Sequence, residues 1–192
     1  MIGLIKSYPE VLQYRVTLAS FYAQTDQNDK AEAVLRESIA VDPEDAQRYL
    51  LLANFLDQKF GHEKAISELR ASIGRQPEMV QLQFALARLY MQSDQAEKAE
   101  AVYQKVIDEQ GVEPDGLKAR AAIAALRVQK GKIDEAKVFI EEVLEENPKD
   151  STAMMLKGRI ALQEQEYTDA VSAFRSVLKD QPDSAEVLTL LA

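Results

Sequence analysis

His62 is the only imidazole among 192 residues, and the chain has no cysteine. Metal centres and nucleophile–base pairs need several such groups held together. A single histidine in the turn Lys59-Phe60-Gly61-His62-Glu63, with no second one to pair with, reads as a surface turn residue. No Ser/His/Asp set, Gly-rich phosphate loop or nucleophile elbow is present, and no Asp-rich loop has calcium-binding spacing. The acidic run Glu141-Glu142 and Glu145-Glu146 reads as the solvated face of a helix, because Val143 and Leu144 between them point inward. The expectation is a protein that is not an enzyme and carries no cofactor or metal.

The chemistry that recurs is that of the carboxamide. Gln24, Gln58, Gln92, Gln129 and Gln163 follow one another at steps of 34, 34, 37 and 34 residues, and Gln13, Gln47 and Gln81 form a second series at 34. An amide both donates and accepts hydrogen bonds, which suits an extended peptide backbone or an array of sugar hydroxyls. Glutamine is also a good solvated helix former, and the spacing fits that reading as well.

The elements that carry these residues are set by the prolines. Pro9, Pro43, Pro77, Pro114, Pro148 and Pro182 step by 34, 34, 37, 34 and 34 residues, so the chain is an internal repeat. Five full units start at Leu12, Ala46, Val80, Leu117 and Ser151, giving repeats 12–45, 46–79, 80–116, 117–150 and 151–184. Positions below are counted within each repeat from these residues. Residues 1–11 read as the end of a preceding repeat and 185–192 as the start of a further one. That phasing predicts a segment of a longer array, since terminal repeats usually carry a polar capping face.

Each repeat reads as two helices. In the second, Ala31, Val34, Leu35, Ser38 and Ile39 form one apolar stripe, matched by Ala136, Phe139, Ile140, Val143 and Leu144. In the second repeat Glu68 sits on the stripe's edge, where a rim exposed to water tolerates it. The first helices hold Leu18-Ala19, Leu52-Ala53, Leu86-Ala87 and Ile123-Ala124 in phase. Small residues there, facing Ala31, Ala65, Ala99, Ala136 and Ala170, let two helix backbones approach to about 8–10 Å. Asp29, Glu63, Glu97, Asp134 and Thr168 share one phase and are expected at the second helix's N-cap or in its first turn. Each proline is expected to stop a second helix or to sit just past its end. The additional residues around Gln110-Gly111-Val112-Glu113 are expected to lengthen the junction between repeats three and four.

These residues resemble the tetratricopeptide repeat. The first repeat carries the pattern as Leu18, Ala19, Tyr22, Ala31, Leu35 and Pro43, the third as Leu86, Ala87, Tyr90, Ala99 and Tyr103, and the fifth as Gly158, Ala170, Phe174 and Pro182. The resemblance covers essentially the whole chain. It implies an all-α, right-handed superhelical solenoid of antiparallel helical hairpins whose first helices line a concave groove. Arg127 and Lys157 depart from the pattern, standing where the first repeat has Tyr22 and Leu18. Their repeats are expected to pack less tightly, or to lay the long stems along the core with the charges outward.

On that resemblance the groove phases hold Val16, Leu50, Phe84, Met91, Val128, Met155 and Leu162, with Asn54, Arg88, Lys118 and Arg159 among them. The site expected from the sequence is Gln24, Gln47, Leu50, Asn54, Gln58, Gln81, Phe84, Arg88, Gln92, Lys118, Gln129, Met155, Arg159 and Gln163. Apolar anchors with interspersed basic groups suit a peptide or amphipathic helix of some acidic character. The same phases place Leu50 and Phe84 equally well in the hairpin core. Some family members grip a C-terminal carboxylate through Lys, Asn and Arg on consecutive first helices. Here those phases hold Val16, Ser20, Leu51, Gln81 and Ala85, and that clamp is missing.

Function follows as an expectation: a scaffold that binds a protein or peptide partner in the groove. The alternative is a structural spacer or a self-associating segment of a bacterial envelope or secretion assembly, joined end to end through terminal helices bearing Leu4, Ile5, Leu188 and Leu191. The net charge of −9 and pI near 4.8 argue against nucleic acid and anionic membranes, as the 34-residue period argues against helical-repeat RNA binders. No apolar run approaches the roughly 20 residues of a membrane span, and the opening Met1-Ile2-Gly3-Leu4-Ile5-Lys6 lacks the basic leading segment of a signal peptide. An export signal is expected only outside this chain, and the compartment stays open between cytoplasm and periplasm or envelope.

Overall fold

A computed structural model describes residues 1–191, and among them there is no strand. The helices are α1 (Ile2–Ser7), α2 (Leu12–Gln24), α3 (Asn28–Val41), α4 (Ala46–Phe60), α5 (His62–Arg75), α6 (Val80–Gln92), α7 (Ala96–Gln110), α8 (Pro114–Gln129), α9 (Ile133–Glu146), α10 (Ser151–Gln163), α11 (Tyr167–Asp180) and α12 (Ala185–Leu191). The chain divides into two compact halves, Met1–Ala99 and the described residues from Glu100 onward, and the division falls within α7. In the first half α2 packs on α3, α3 on α4, α4 on both α5 and α6, and α5 on α6. In the second, α8 packs on α9, α10 on both α8 and α9, α10 on α11, and α11 on α12. Connections this short make consecutive helices antiparallel, so α2–α3, α4–α5, α8–α9 and α10–α11 are helical hairpins.

The alanines of position 20 lie in the core. Ala31, Ala65, Ala99 and Ala136 are completely buried and Ala170 is 2% exposed. Around them the first half buries Leu35, Leu52, Leu56, Leu69 and Leu82, while the second buries Ile123, Ile140, Val143, Phe174 and Val177. Burying each large apolar side chain contributes about 1.5–3 kcal/mol. At Gly158 the approach is closer than alanine permits, since a Cβ there would lie 2.5 Å from the Phe174 ring.

Position 4 supplies a hydrogen-bond lock. The Arg15 guanidinium donates to the Pro9 carbonyl (2.5 Å), the Tyr49 hydroxyl to Pro43 (2.9 Å) and the Gln83 amide to Pro77 (3.3 Å). Three different side chains thus satisfy the same carbonyl, that of the proline six residues earlier. This explains why Arg15 and Gln83 are buried despite their polarity. In repeat four Arg120 donates to Gly111 instead, and in repeat five Met154 has no proton to give.

Five prolines behave as expected, each two residues past the end of a helix. Pro114 does not. It occupies the first turn of α8, where its missing N–H costs nothing. The inserted residues therefore extend a helix, and α8 begins three residues before Leu117 rather than following a longer junction. Gly116 makes that extension fit, because a Cβ there would stand 2.1 Å from the Gly111 carbonyl oxygen.

Of the two positions expected for the acids of the second helices, N-cap or first turn, the structure shows the first turn. Asp29, Glu63, Glu97 and Asp134 all lie inside the first turn, favourable to the helix dipole, and none is an N-cap. Thr168 lies one residue into α11, where Asp169 supplies the acid. The side-chain caps occur instead on first helices: Asp45 accepts from the Gln47 N–H and Asp150 from the Ala153 N–H, both at 2.9 Å. The second helices are entered through left-handed residues at position 15, namely Asp26, Asp94, Gly131 and Gln165, with φ from 55° to 71°. Repeat two departs from this. There α4 runs on through Phe60, and Gly61 (φ 87°) alone makes the turn.

Candidate functional site

The sequence-predicted residues fall on one stripe of each first helix. Gln47, Leu50, Asn54 and Gln58 follow one another at three and four residues along α4, and Gln81, Phe84, Arg88 and Gln92 do the same along α6. These two helices pack against each other, and Arg88 donates to the Asn54 amide oxygen at 3.3 Å. That contact joins equivalent positions of neighbouring repeats and places the two stripes side by side. Leu50 and Phe84 are half-buried, so each offers part of its side chain to the surface and part to the hairpin.

The five glutamines of position 13 are all exposed and sit in the C-terminal turn of α2, α4, α6, α8 and α10. Beside Gln24, the Lys59 ammonium donates to the Ala23 carbonyl at 3.0 Å, closing one of the orphan acceptors at the end of α2. At the end of α2 the glutamine amide therefore flanks a carbonyl already satisfied by another group.

In the second half the corresponding stripe is Lys118 and Gln129 on α8 and Met155, Arg159 and Gln163 on α10. Here the structure adds residues that the sequence reading missed. Positions 5 and 9 of repeat four hold Ala121 and Ala125, and their small size opens an apolar recess of about 550 Å³. Pro114, Leu117, Lys118 and Ala122 line it from α8, Asp150 and Thr152 from the start of α10, and Val112 from the turn before α8. The signal was present in the alanine run Ala119–Ala125, at phases occupied elsewhere by Leu50 and Phe84. Arg159 is engaged with Glu186 of α12. Met155 and Leu162 pack against the core around Phe174, and Val128 against that around Ile140.

The two departures from the pattern resolve differently. Arg127 lies half-buried with both terminal nitrogens on Glu100 and its Nε 2.9 Å from Glu135. In repeats one and three the same pair of positions is Tyr22 with Lys30 and Tyr90 with Lys98, each ammonium 5.6 Å from the ring centre. Repeat four thus keeps the contact and replaces a cation–ring pair by an ion pair of reversed order. Lys157 is exposed and borders a cavity between α9 and α10.

Other ion pairs tie repeats together. Arg36 on α3 meets Glu68 on α5 at 2.7 Å, and Arg75 reaches the same carboxylate at 3.3 Å. Burial pushes the Glu68 carboxyl up, but the Arg36 hydrogen bond and the two arginine charges outweigh it and hold the group below its ordinary range. The Glu68 partner raises Arg36 in turn. His62 opens α5 rather than lying in the turn, with Nδ1 2.5 Å from an Asp57 carboxylate oxygen. Among the described residues no cluster of His, Asp and Glu has the arrangement of a metal site, and no helix is long and apolar enough to cross a membrane.

Comparison with known proteins agrees with this geometry. The family model of the tetratricopeptide repeat protein 21 C-terminal ARM domain matches residues 30–187, and a tetratricopeptide repeat model matches residues 12–45. No curated protein matches. Among solved structures, YrrB, described as "a TPR protein with an unusual peptide-binding site", is 17% identical over 98% of this chain and 96% of its own, with a TM-score of 0.59. PilF of Pseudomonas aeruginosa is 17% identical over 87% of this chain and 75% of its own, with a TM-score of 0.64. The C-terminal part of a repeat protein from Cytophaga hutchinsonii is 17% identical over 93% and 72%, with a TM-score of 0.65. At such identities the likeness is one of fold. With the phased residues and the family models together, the chain belongs to the tetratricopeptide repeat family.

Proposed function

We propose that this chain holds a peptide or helical segment of a partner protein against the first-helix stripes of each half. The tetratricopeptide fold is that of a protein-interaction scaffold and is typically non-catalytic. The observation that carries the finer reading is the Arg88–Asn54 contact, which sets a guanidinium and an amide of adjacent helices one turn beyond the half-buried Leu50 and Phe84. Apolar anchors one turn from a polar pair suit a segment with apolar side chains followed by an acidic group for Arg88. The recess beside Lys118 offers the second half a comparable combination of apolar wall and ammonium.

Selection from a displayed library of random peptides tests this reading. Peptides enriched on the wild-type chain are expected to combine apolar and acidic residues, and to be lost by a Phe84→Ala, Arg88→Glu variant that circular dichroism shows to be folded at the selection temperature. Enrichment that survives the double substitution would refute the reading. So would a failure to enrich anything combined with light scattering that grows with concentration, which is the signature of the spacer alternative.

A further inference from the structure

The junction between α9 and α10 contains an opening that the proposed groove does not use. Positions 7 and 11 of a first helix are occupied by Leu52 and Leu56 in repeat two and by Leu86 and Tyr90 in repeat three, all buried. In repeat five they are Lys157 and Ala161. Lys157 turns to solvent and Ala161 is too short to fill the space. The result is a cavity of about 400 Å³ bounded by α9, α10 and the start of α11.

Its floor is apolar, formed by Ile140, Leu144, Ile160 and Ala161, of which Ile140 and Ile160 are only 2% and 3% exposed. Its rim is acidic. Glu141 and Glu145 stand on α9, Glu164 at the end of α10, and Glu166 and Asp169 at the entry to α11. Five carboxylates face two ammonium groups, Lys137 and Lys157, which leaves a formal charge of −3. Lys137 is already taken by Glu164, with its Nζ 2.7 and 2.8 Å from the two oxygens. Glu141, Glu145, Glu166 and Asp169 form no ion pair among the described residues.

An apolar floor under uncompensated carboxylates fits a side chain with an aliphatic stem and a cationic head. Of the two candidates, the guanidinium is the more weakly hydrated and can meet a carboxylate with two parallel hydrogen bonds. We propose that this cavity receives an arginine side chain of a partner peptide, laid over Ile140 and Ile160 with its head among Glu141, Glu145 and Glu166. This site is independent of the first-helix stripes and goes beyond the function proposed above.

Nuclear magnetic resonance titration of the full chain with acetyl-Leu-Arg-Leu-amide tests it, with the citrulline analogue as the uncharged control. The arginine peptide is expected to shift the amides of Ile140, Leu144, Ile160 and Ala161, and the citrulline peptide to bind about tenfold more weakly. Two variants separate occupancy from folding. Lys157→Leu with Ala161→Leu refills the cavity in the manner of Leu52 and Leu56. Glu141→Lys with Glu145→Lys reverses the rim on an exposed face. Both are expected to melt no lower than wild type and to abolish the shifts, whereas Phe84→Ala with Arg88→Glu leaves them intact. Equal binding of the citrulline peptide, shifts spread over the acidic surface at large, or binding that survives the refilled cavity would overturn the proposal. Any of those results leaves the reading of the first-helix stripes standing.

Discussion

The α3–α4 junction in the first half and the α9–α10 junction in the second are built on the same phase of the repeat and reach opposite results. In the first, Leu52 and Leu56 are completely buried and the seam is closed. In the second, Lys157 and Ala161 occupy those positions and a cavity remains. The position 4 lock follows the same division: Arg15, Tyr49 and Gln83 each hold a proline carbonyl, whereas Met154 has no donor to offer. A repeat's backbone pattern therefore fixes where a side chain stands. The size and chemistry of that side chain decide whether the position seals the array or leaves a cavity.

The comparison can be broken most forcefully at its sealed side. Leu56→Ala should cost about 2–5 kcal/mol, because the surrounding helices cannot close over the lost volume. Ala161→Leu should cost nothing or stabilise, since it fills existing space rather than displacing neighbours. Chemical denaturation of the two variants checks the contrast, and equal losses would contradict it. Next in size is Gly158→Ala in the second half, expected to cost about 1–3 kcal/mol because the added methyl meets the Phe174 ring. A neutral result would mean that the ring yields.

The Arg36–Glu68–Arg75 cluster gives the first half a pH-dependent contribution. The Glu68 carboxyl is held below its ordinary value, so its contribution is complete above the unfolded glutamate pKa of about 4.3 and fades as pH falls through the lower folded value. Glu68→Gln should lose about 1 kcal/mol at neutral pH, and the difference from wild type should vanish in acid. A difference that grows on acidification would have the wrong sign. The smallest effect is expected at Gln165, which adopts φ 66° where repeat four has Gly131. Gln165→Gly should stabilise by roughly 0.5–1 kcal/mol by removing the left-handed penalty, which a shift in the thermal midpoint would report.

Much of this is legible in the sequence itself. The proline spacing and the alanine and leucine phases give the hairpins, because burying an amphipathic stripe leaves few alternatives. The stripe Gln81, Phe84, Arg88 and Gln92 could likewise be read from the phase alone. Pro114 misled because proline is tolerated both after a helix end and in a first turn, and only the close approach of Gly116 to Gly111 distinguishes the two. The cavity at Lys157 was visible merely as a departure from pattern. Whether a long side chain lies along a core or leaves it open depends on neighbours two helices away, which no local spacing encodes. The same holds for Arg127, whose partners Glu100 and Glu135 come from two other helices.

The most direct test of the central claim, that the phase-variable surface of the first helices is where a partner binds, is calorimetric titration of a selected acidic, apolar peptide into wild type and Arg88→Glu. The account predicts an affinity loss of about 10- to 100-fold with an unchanged melting curve, as expected when a charge at a contact is reversed. Equal affinities for the two proteins would contradict it.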